Sequence, residues 1–545
     1  MDDAFNIMLF LTAVALRFAC ALATYGYVHP DEYHQSNEIA ARDVFNVSAN
    51  VPWEFRSEAP ARSIIGVWLT SGIPYAASRA LGLSASAVAV AAPRVFACAA
   101  SWTTDAAVIS CARAIGANAR EAWMMFITSW VVLVILVRPF SNSVETFAMA
   151  VCALVATHRV GRRGSDVARC AAIGAIGCVG VFVRFTSAVY IAPWAVFAVM
   201  RAREKSLGNA VAGALSGVSA ACVVAVACVV ADTAYFRGVH VTDAFAWNPK
   251  NWIVTPWNSF SYNARAENLA LHGLHPRYLH AVVNGPIMFG PLWFSFFRDT
   301  LFVSQRKAST SSPRDALLVH ALRASVLVPL LALSFAPHQE PRFLTPMTFP
   351  MCVLAALHPT EKLRSRCRRG FFALWIAFNA ILTCLFGILH QGGVVPATQA
   401  LANIDTFNGS PRANAIFWKT YMPPRSVLAQ VLGHDRITIT DVAGASVEDM
   451  RELLSSTDAG ECSVDIDSCV DRATILIAPA LAFERLREIT ANDVDFELAF
   501  ERFPHLSLDH LDEVSERLSA SKPAERIGLL RRALFLTAHV ARKKK

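Results

Sequence analysis

Charged residues are scarce in this chain of 545 residues, because Asp, Glu, Lys and Arg together make up only 17% of it. An average soluble domain carries roughly 25%. Hydrophobic residues make up 54% of the chain, and most stand in runs of about 15 to 25, long enough for a helix to cross a hydrocarbon core of roughly 30 Å. The composition therefore excludes an ordinary soluble protein and predicts a helical membrane protein with many spans.

The sequence also lacks the cysteine spacings that are typical of metal sites, and it lacks internal repeats. The 13 cysteines include no CxxC pair and no Cys/His metal spacing. Only Cys462 and Cys469 stand in clearly polar sequence, and a disulfide between them is plausible if that region faces an oxidising compartment. No internal repeat is evident, so a transporter built from two symmetric halves gains no support. The net charge of +8 resides in short bursts between apolar runs, which argues against nucleic-acid binding.

The basic bursts predict the topology. They fall at residues 159–169, 201–205, 298–314 and 362–369, and basic loops of this kind are usually cytosolic. Alternation then places the opposite loops in the lumen of an endomembrane compartment. Twelve apolar runs are candidates, but the parity of the ends favours about 11 transmembrane helices. The luminal regions so predicted are the loops at 26–62 and 232–280, the hairpins at 138–143, 184–186 and 337–342, and everything after about 390.

The last part of the chain has a different character. It contains polar and acidic stretches together with the strand-like patterns "RITITDV" and "ATILIAPALAF". We predict two domains, a multi-span domain over 1–390 and a small luminal C-terminal α/β region over 391–545.

The first cluster of reactive side chains is in "TYGYVHPDEYHQSNEIA", directly after the first apolar run. It contains His29, Asp31 and Glu32. A carboxylate beside apolar surface and another carboxylate can have a raised pKa, which suits a general base. The alternative is an acidic loop that caps a helix.

Further clusters fall in other predicted luminal loops. Arg184 in "VRFTS" and Arg342 in "APHQEPRFLTP" offer guanidinium forks to a phosphate at the membrane surface. His338 and Glu340 accompany Arg342, and a structural Arg/Glu pair is the alternative. The loop "TPWNSFSYNARAENLALHGLHPRYLH" is rich in Asn, His and aromatic residues, which suits sugar binding but is also common at membrane interfaces.

A family resemblance rests on six stretches. They are "HPDEYHQSNEIA", "PWEFRSEAPARS", "RPFSNSVET", "RFTS", "TPWNSFSYNARAENLALHGLHPR" and "HQEPRFL". In order and spacing they resemble the multi-span mannosyltransferases of the endoplasmic reticulum that use dolichyl phosphate mannose, which form glycosyltransferase family 22 and have the GT-C fold. The similarity runs from about residue 10 to residue 430.

Two more stretches narrow the resemblance. "LFGILHQGGVVP" at 385–396 and "FWKTYMPPRSVL" at 417–428 resemble the subgroup that adds the fourth mannose to glycosylphosphatidylinositol (GPI) anchor precursors. Gln35 and Ser36 fit that subgroup as well. The rivals are the third-mannose GPI enzymes and the N-glycan precursor mannosyltransferases, or, from another class, a secondary membrane transporter.

The resemblance implies an inverting transfer of mannose from dolichyl phosphate mannose to a GPI precursor lipid, without a metal or other cofactor. Asp31 corresponds to the residue that the family is thought to use as base, and Glu32 would orient it or bind the acceptor. Arg342 is the first choice for binding the donor phosphate, and Arg184 the second. The other residues expected to bind substrate are His29, His338, Glu340, Asn263 and His275.

Overall fold

The computed structural model describes most of the chain. The described residues are 2–56, 60–158, 165–246, 251–270, 273–302, 313–357, 365–404, 412–456 and 472–544. Cys462 and Cys469 lie outside them, as do parts of three of the four basic bursts.

Two compact units make up the fold. The first, which we call the helical unit, comprises Met1–Ala21, Val51–Ile73 and Pro93–Ile381. The second, the sheet unit, comprises Leu22–Asn50, Pro74–Ala92 and Leu382–Lys545. The segment that contains Asp31 thus belongs to the same unit as the C-terminal region.

Helices account for most of the chain up to residue 384. In chain order they are α1 Asp2–Ala23, α2 Glu38–Phe45, α3 Ile64–Val67, α4 Ile73–Ala80, α5 Ala85–Val88, α6 Ala91–Ala114, α7 Ala119–Ile127, α8 Ser141–Thr157, α9 Ser165–Val183, α10 Ser187–Arg203, α11 Leu207–Arg237, α12 Val241–Ala246, α13 Thr255–Asn263, α14 Ala266–Ala270, α15 Gly285–Phe289, α16 Pro291–Phe302, α17 Pro313–Ser334, α18 Thr348–Ala355 and α19 Ser365–Cys384.

Five apolar helical stretches are long enough to cross a membrane. Among the described residues they are Ala85–Ala114, Asp166–Val183, Leu207–Arg237, Asp315–Ser334 and Arg368–Leu389. The third of them leaves large apolar side chains such as Leu215 and Val223 64% and 71% exposed, a surface that hydrocarbon can cover and water cannot cover without cost. The prediction of a multi-pass helical membrane protein is confirmed.

A buried ion pair fastens three helices of the helical unit. Arg17 of α1 donates to Asp105 of α6 at 2.6 Å and 3.0 Å, and Nε1 of Trp123 in α7 donates to the same carboxylate at 2.8 Å. Ionisable groups inside an apolar bundle are costly unless they are paired. Arg17 also donates to the Ser101 hydroxyl of α6 at 3.0 Å, so the guanidinium is paired inside the bundle.

The sheet unit contains five strands. In chain order, its elements beyond residue 390 are α20 Val394–Ala402, β1 Arg412–Phe417, β2 Ile437–Asp441, α21 Val447–Ser456, β3 Arg472–Pro479, α22 Ala480–Ile489, β4 Val494–Arg502, α23 Leu511–Ala520, α24 Pro523–Arg532 and β5 Leu536–Lys543. As predicted, "RITITDV" contains β2 and the first part of "ATILIAPALAF" lies in β3, whereas the last four residues of the second pattern begin α22 instead of continuing the strand.

The strand order is β2-β1-β3-β5-β4. β1 runs parallel to β2 and β3, whereas β5 runs antiparallel to β3 and β4. Because side chains alternate across a strand, β1 sends Ala415 and Phe417 to one face and Ile416 and Trp418 to the other. The first face packs against α20 together with Tyr27 and Tyr33, and the second packs against α21 and α22. One face of the sheet therefore supports the segment around Asp31.

Candidate active site

The segment His29–Gln35, which we call the HPDE segment, follows one buried tyrosine, Tyr27, and contains a second, Tyr33. Tyr27 and Tyr33 are 0% and 1% exposed, and their rings meet edge to face with centroids 5.2 Å apart. Both belong to the cluster on the α20 face of the sheet. Because the chain is anchored at both rings, residues 28–31 form a short stretch that stays partly exposed.

The two adjacent carboxylates of this segment differ in exposure. The Asp31 side chain is 20% exposed, and its Oδ1 lies 3.4 Å from Nδ1 of His29, which also accepts the Asp31 backbone N–H at 3.2 Å. Glu32 is 0% exposed. A general base must reach the proton that it removes. Of this pair, Asp31 is the carboxylate that solvent can reach.

The chain before the HPDE segment is held by the stretch at 385–396. Gly26 donates its backbone N–H to the carbonyl of Gly387 at 2.7 Å, and Tyr27 donates to the carbonyl of His390 at 2.7 Å. A Cβ on Gly26 would lie 2.5 Å from the carbonyl carbon of Gly387, so the close approach requires glycine. Two motifs that are far apart in sequence are thereby brought into contact.

Glu38 connects the HPDE segment to the stretch at 417–428. It is 0% exposed and accepts hydrogen bonds from the backbone N–H of Asn50 at 2.5 Å, from that of Ser426 at 2.9 Å and from the Ser426 hydroxyl at 2.6 Å. Sequence reasoning missed this residue. Its only signal was membership of the motif "HPDEYHQSNEIA", because the partner stands 388 positions away.

In the helical unit, Arg184 lies in the hairpin between α9 and α10. Its Nε is 3.8 Å from Oε2 of Glu145, and its Nη1 donates to the Ser141 hydroxyl at 3.1 Å. The Thr186 hydroxyl donates to Oε1 of Glu145 at 2.8 Å. Burial lowers the pKa of the Arg184 guanidinium to about 10, and Glu145 opposes that shift. The group therefore keeps its positive charge at neutral pH.

Arg342 lies at the start of a 3₁₀ turn over Pro341–Met347 and forms an ion pair with Glu340. Nε2 of His338 is 2.8 Å from Oε1 of the same Glu340, and this hydrogen bond raises the pKa of His338. The guanidinium carbons of Arg184 and Arg342 lie 5.0 Å and 5.7 Å from the centroid of the Phe343 ring. Two cations thus lie within cation–π distance of one aromatic ring. We call Glu145, Arg184, His338, Glu340 and Arg342 the arginine cluster.

The long loop contributes one of its two predicted residues to this region. Nδ1 of His275 accepts the backbone N–H of Gln339 at 3.1 Å, and its ring centroid is 5.4 Å from that of His338. Asn263 instead donates its side-chain amide to the Ser259 carbonyl at 2.8 Å within α13.

Asp232 of α11 accepts hydrogen bonds from residues at the starts of α3 and α13. It was not predicted from the sequence as a functional or structural residue. It is 0% exposed and accepts from the Ser63 hydroxyl at 2.9 Å, from the Ile64 N–H at 3.0 Å and from the Thr255 hydroxyl at 2.7 Å. The available signal was a lone carboxylate in the otherwise apolar helix α11. An ionisable residue in an apolar helix usually pairs with specific charged or hydrogen-bonding groups.

Comparison with known proteins shows which family the chain is similar to. Residues 8–430 match the Alg9-like mannosyltransferase family. GPI mannosyltransferase 4 of Aspergillus oryzae is 30% identical over 89% of this chain and 94% of its own length. GPI alpha-1,2-mannosyltransferase 4 of Homo sapiens is 29% identical over 92% of this chain and 89% of its own length.

Solved structures show the same fold at low identity. The crystal structure of ArnT from Cupriavidus metallidurans bound to undecaprenyl phosphate aligns with a TM-score of 0.51 and 12% identity, covering 92% of this chain and 97% of that chain. The likeness supports the predicted GT-C type of fold, and the family resemblance drawn from the motifs is confirmed. The chain belongs to the Alg9-like mannosyltransferase family.

Proposed function

We propose that this chain transfers the fourth mannose of a GPI anchor precursor, as an α-1,2-mannosyltransferase that uses dolichyl phosphate mannose. Relatives named GPI mannosyltransferase 4 or GPI alpha-1,2-mannosyltransferase 4 match 89% to 93% of this chain at 25% to 30% identity. The chemical observation that supports the proposal is the partly exposed Asp31 carboxylate beside the buried Glu32.

Asp31 acts as the general base in this proposal. It accepts the proton of the acceptor hydroxyl while that oxygen attacks the anomeric carbon of mannose and the bond to the dolichyl phosphate oxygen breaks. The leaving phosphate takes the bonding electron pair, so one displacement inverts the anomeric carbon. A retaining route would need a second carboxylate as nucleophile, about 5 Å from the first. Burial makes Glu32 unsuited to that role, and its proposed part is to orient the segment.

Arg342, with Arg184 as the second candidate, binds the donor phosphate in this proposal. Negative charge builds up on the phosphate as the glycosidic bond breaks, and fixed cations stabilise it most when they are already in position. The pairing of Arg342 with Glu340 and the contact of Arg184 with Glu145 hold both side chains in position. That ArnT has been seen bound to undecaprenyl phosphate supports a polyprenyl phosphate as the donor carrier. The reaction as proposed needs no metal.

The remaining proposals concern substrate contacts and location. His29 lies beside Asp31, and His338, Glu340 and His275 lie near Arg342. We assign these residues and Asn263 to substrate binding. We place the protein in the endoplasmic reticulum membrane, with about 11 spans and with the active site and the C-terminal region in the lumen, because the basic bursts fall on the opposite side of that arrangement.

The test is complementation in cells that lack the fourth-mannose activity, with lipid analysis of the GPI precursors. We expect the unchanged chain to restore four-mannose precursors and Asp31→Asn to lose them, since a general base contributes about 10²- to 10⁴-fold to a rate. Asp43→Asn is the matched control, because Asp43 pairs with its neighbour Arg42. Four-mannose precursors at the normal level with Asp31→Asn would exclude Asp31 as the base.

A further inference from the structure

The loop Lys419–Ala429, which we call the 419–429 loop, has an unusual backbone. Among the described residues, four that are not glycine adopt a positive φ, and these are Asn46, Gln391, Lys419 and Ala429. Two of them bound the loop, and the other two touch it or its continuation. Gln391 accepts the N–H of Tyr421 at 3.3 Å, and the Asn46 carbonyl accepts the N–H of Leu432 at 3.1 Å. Such conformations persist only where surrounding contacts hold them, and they concentrate at ligand-binding sites.

The loop is tied to both sides of Asp31. The Tyr27 hydroxyl lies 3.1 Å from the Met422 carbonyl and 3.5 Å from the Pro30 carbonyl, so one side chain bridges the loop and the residue before Asp31. On the other side, Nε2 of His34 is 3.2 Å from the same Met422 carbonyl. The position of Met422 relative to Asp31 is therefore set by two short contacts.

The Met422 side chain is exposed although most residues of the 419–429 loop are buried. Lys419, Thr420 and Ser426 are 8%, 2% and 1% exposed, whereas Met422 is 36% exposed. Nδ2 of Asn50 lies 2.9 Å from the Met422 sulfur and 3.5 Å from Nδ1 of His34. An apolar thioether and an amide thus stand together on a rigid support. This pairing matches a sugar, which has an apolar C–H face and hydroxyls that bond to amides.

We propose that the 419–429 loop determines acceptor specificity, with Met422 packing on the C–H face of the terminal mannose of the acceptor and Asn50 binding one of its hydroxyls. The inference rests on the function proposed above. Because Asp31 removes the proton of only one hydroxyl, the sugar that carries it must be held by groups fixed relative to Asp31, and Met422 meets that requirement. Tyr27 is a positioning residue that holds the loop in place.

The experiment uses the purified full-length chain in detergent, with dolichyl phosphate mannose as donor and synthetic GPI lipids with two or three mannoses as acceptors. For Met422→Ala we expect the KM for the three-mannose acceptor to rise about tenfold, while kcat and the KM for the donor stay within about twofold. Met422→Leu keeps an apolar side chain of similar size and should restore most of the affinity. Leu498→Ala is the control, because Leu498 is 52% exposed on β4 of the same unit.

Tyr27→Phe separates positioning from folding. It removes the hydroxyl bridge and keeps the ring packing against Tyr33 and Tyr421. We expect kcat for the three-mannose acceptor to fall about tenfold, with the same melting temperature as the unchanged chain. If Met422→Ala leaves the acceptor KM unchanged while the unchanged chain transfers mannose normally, the loop is only structural and the inference is overturned. If the unchanged chain transfers nothing to the three-mannose acceptor, the proposed function itself fails.

Discussion

Glu38 provides a direct test of how the sheet unit builds the candidate site. Its carboxylate is fully buried and accepts three hydrogen bonds, from Asn50 N–H and from the N–H and hydroxyl of Ser426. Hydrogen bonds to a charged acceptor contribute about 1.5–3 kcal/mol each, and a buried donor left without a partner costs about 1–3 kcal/mol. Glu38→Gln keeps one acceptor oxygen and places an amide where the other stood. We expect it to lower the free energy of unfolding of the sheet unit by about 1–3 kcal/mol.

Glu38→Ala should cost more than the glutamine variant. The backbone N–H groups of Asn50, which is partly buried, and of Ser426, which is buried, both lose their acceptor, which gives a loss of about 3–5 kcal/mol. This is a large part of the 5–15 kcal/mol that a typical domain possesses. We expect Glu38→Ala to express poorly, so hydrogen exchange is measured on Glu38→Gln.

The assay is amide hydrogen exchange on the purified chain, read by mass spectrometry on peptides that cover 420–430. A local loss of 1.4 kcal/mol corresponds to a tenfold loss of protection, so Glu38→Gln should increase exchange in these peptides about tenfold or more. Glu448→Gln, on the exposed face of α21, is the control and should leave exchange unchanged. Equal exchange in the two variants would refute the view that Glu38 holds the loop.

Two further predictions concern the arginine cluster. Arg342→Lys should lower the rate of mannose transfer and raise the KM for the donor about tenfold or more, because lysine cannot reproduce the guanidinium fork that pairs with Glu340 and a phosphate at once. Steady-state kinetics measures this effect, with Arg298→Lys as the control. An unchanged donor KM in Arg342→Lys would contradict the prediction. The Glu340 hydrogen bond raises the pKa of His338 above its ordinary 6.5, so the stabilisation by the protonated ring should be complete below about pH 6.5 and fade as the pH rises through the higher folded value. Melting temperatures from pH 5.5 to 8.5 should therefore show the unchanged chain and His338→Gln converging at high pH, and a constant difference would contradict the pairing.

Local sequence patterns predicted the features that depend on local physics. Apolar length predicted the membrane helices, and the strand-like patterns "RITITDV" and "ATILIAPALAF" predicted β2 and β3. The motif "HPDEYHQSNEIA" marked Asp31 because its composition is unusual for the end of an apolar run. Local patterns could not predict that Glu32 is buried and Asp31 partly exposed, because the neighbouring Tyr27 and Tyr33 pack against strands that lie almost 400 residues later in the chain.

Long-range pairing explains the other omissions. Glu38 and Ser426 are 388 positions apart, and Arg17 and Asp105 are 88 apart. Each residue alone fits several local roles, so only the folded chain identifies its partner. The sequence also could not predict that Gln391 and Lys419 adopt a positive φ, because neither residue type favours that conformation. The grouping of residues 22–50 with the C-terminal strands likewise depends on contacts that a linear pattern does not encode.

We propose above that this chain transfers one mannose to a three-mannose GPI acceptor with Asp31 as the base. The most direct measurement is the mass of the product formed by the purified chain from dolichyl phosphate mannose and synthetic acceptors with two or three mannoses. We expect the addition of one hexose to the three-mannose acceptor, little addition to the two-mannose acceptor, and loss of both with Asp31→Asn. A product formed preferentially from the two-mannose acceptor, or normal transfer by Asp31→Asn, would contradict it.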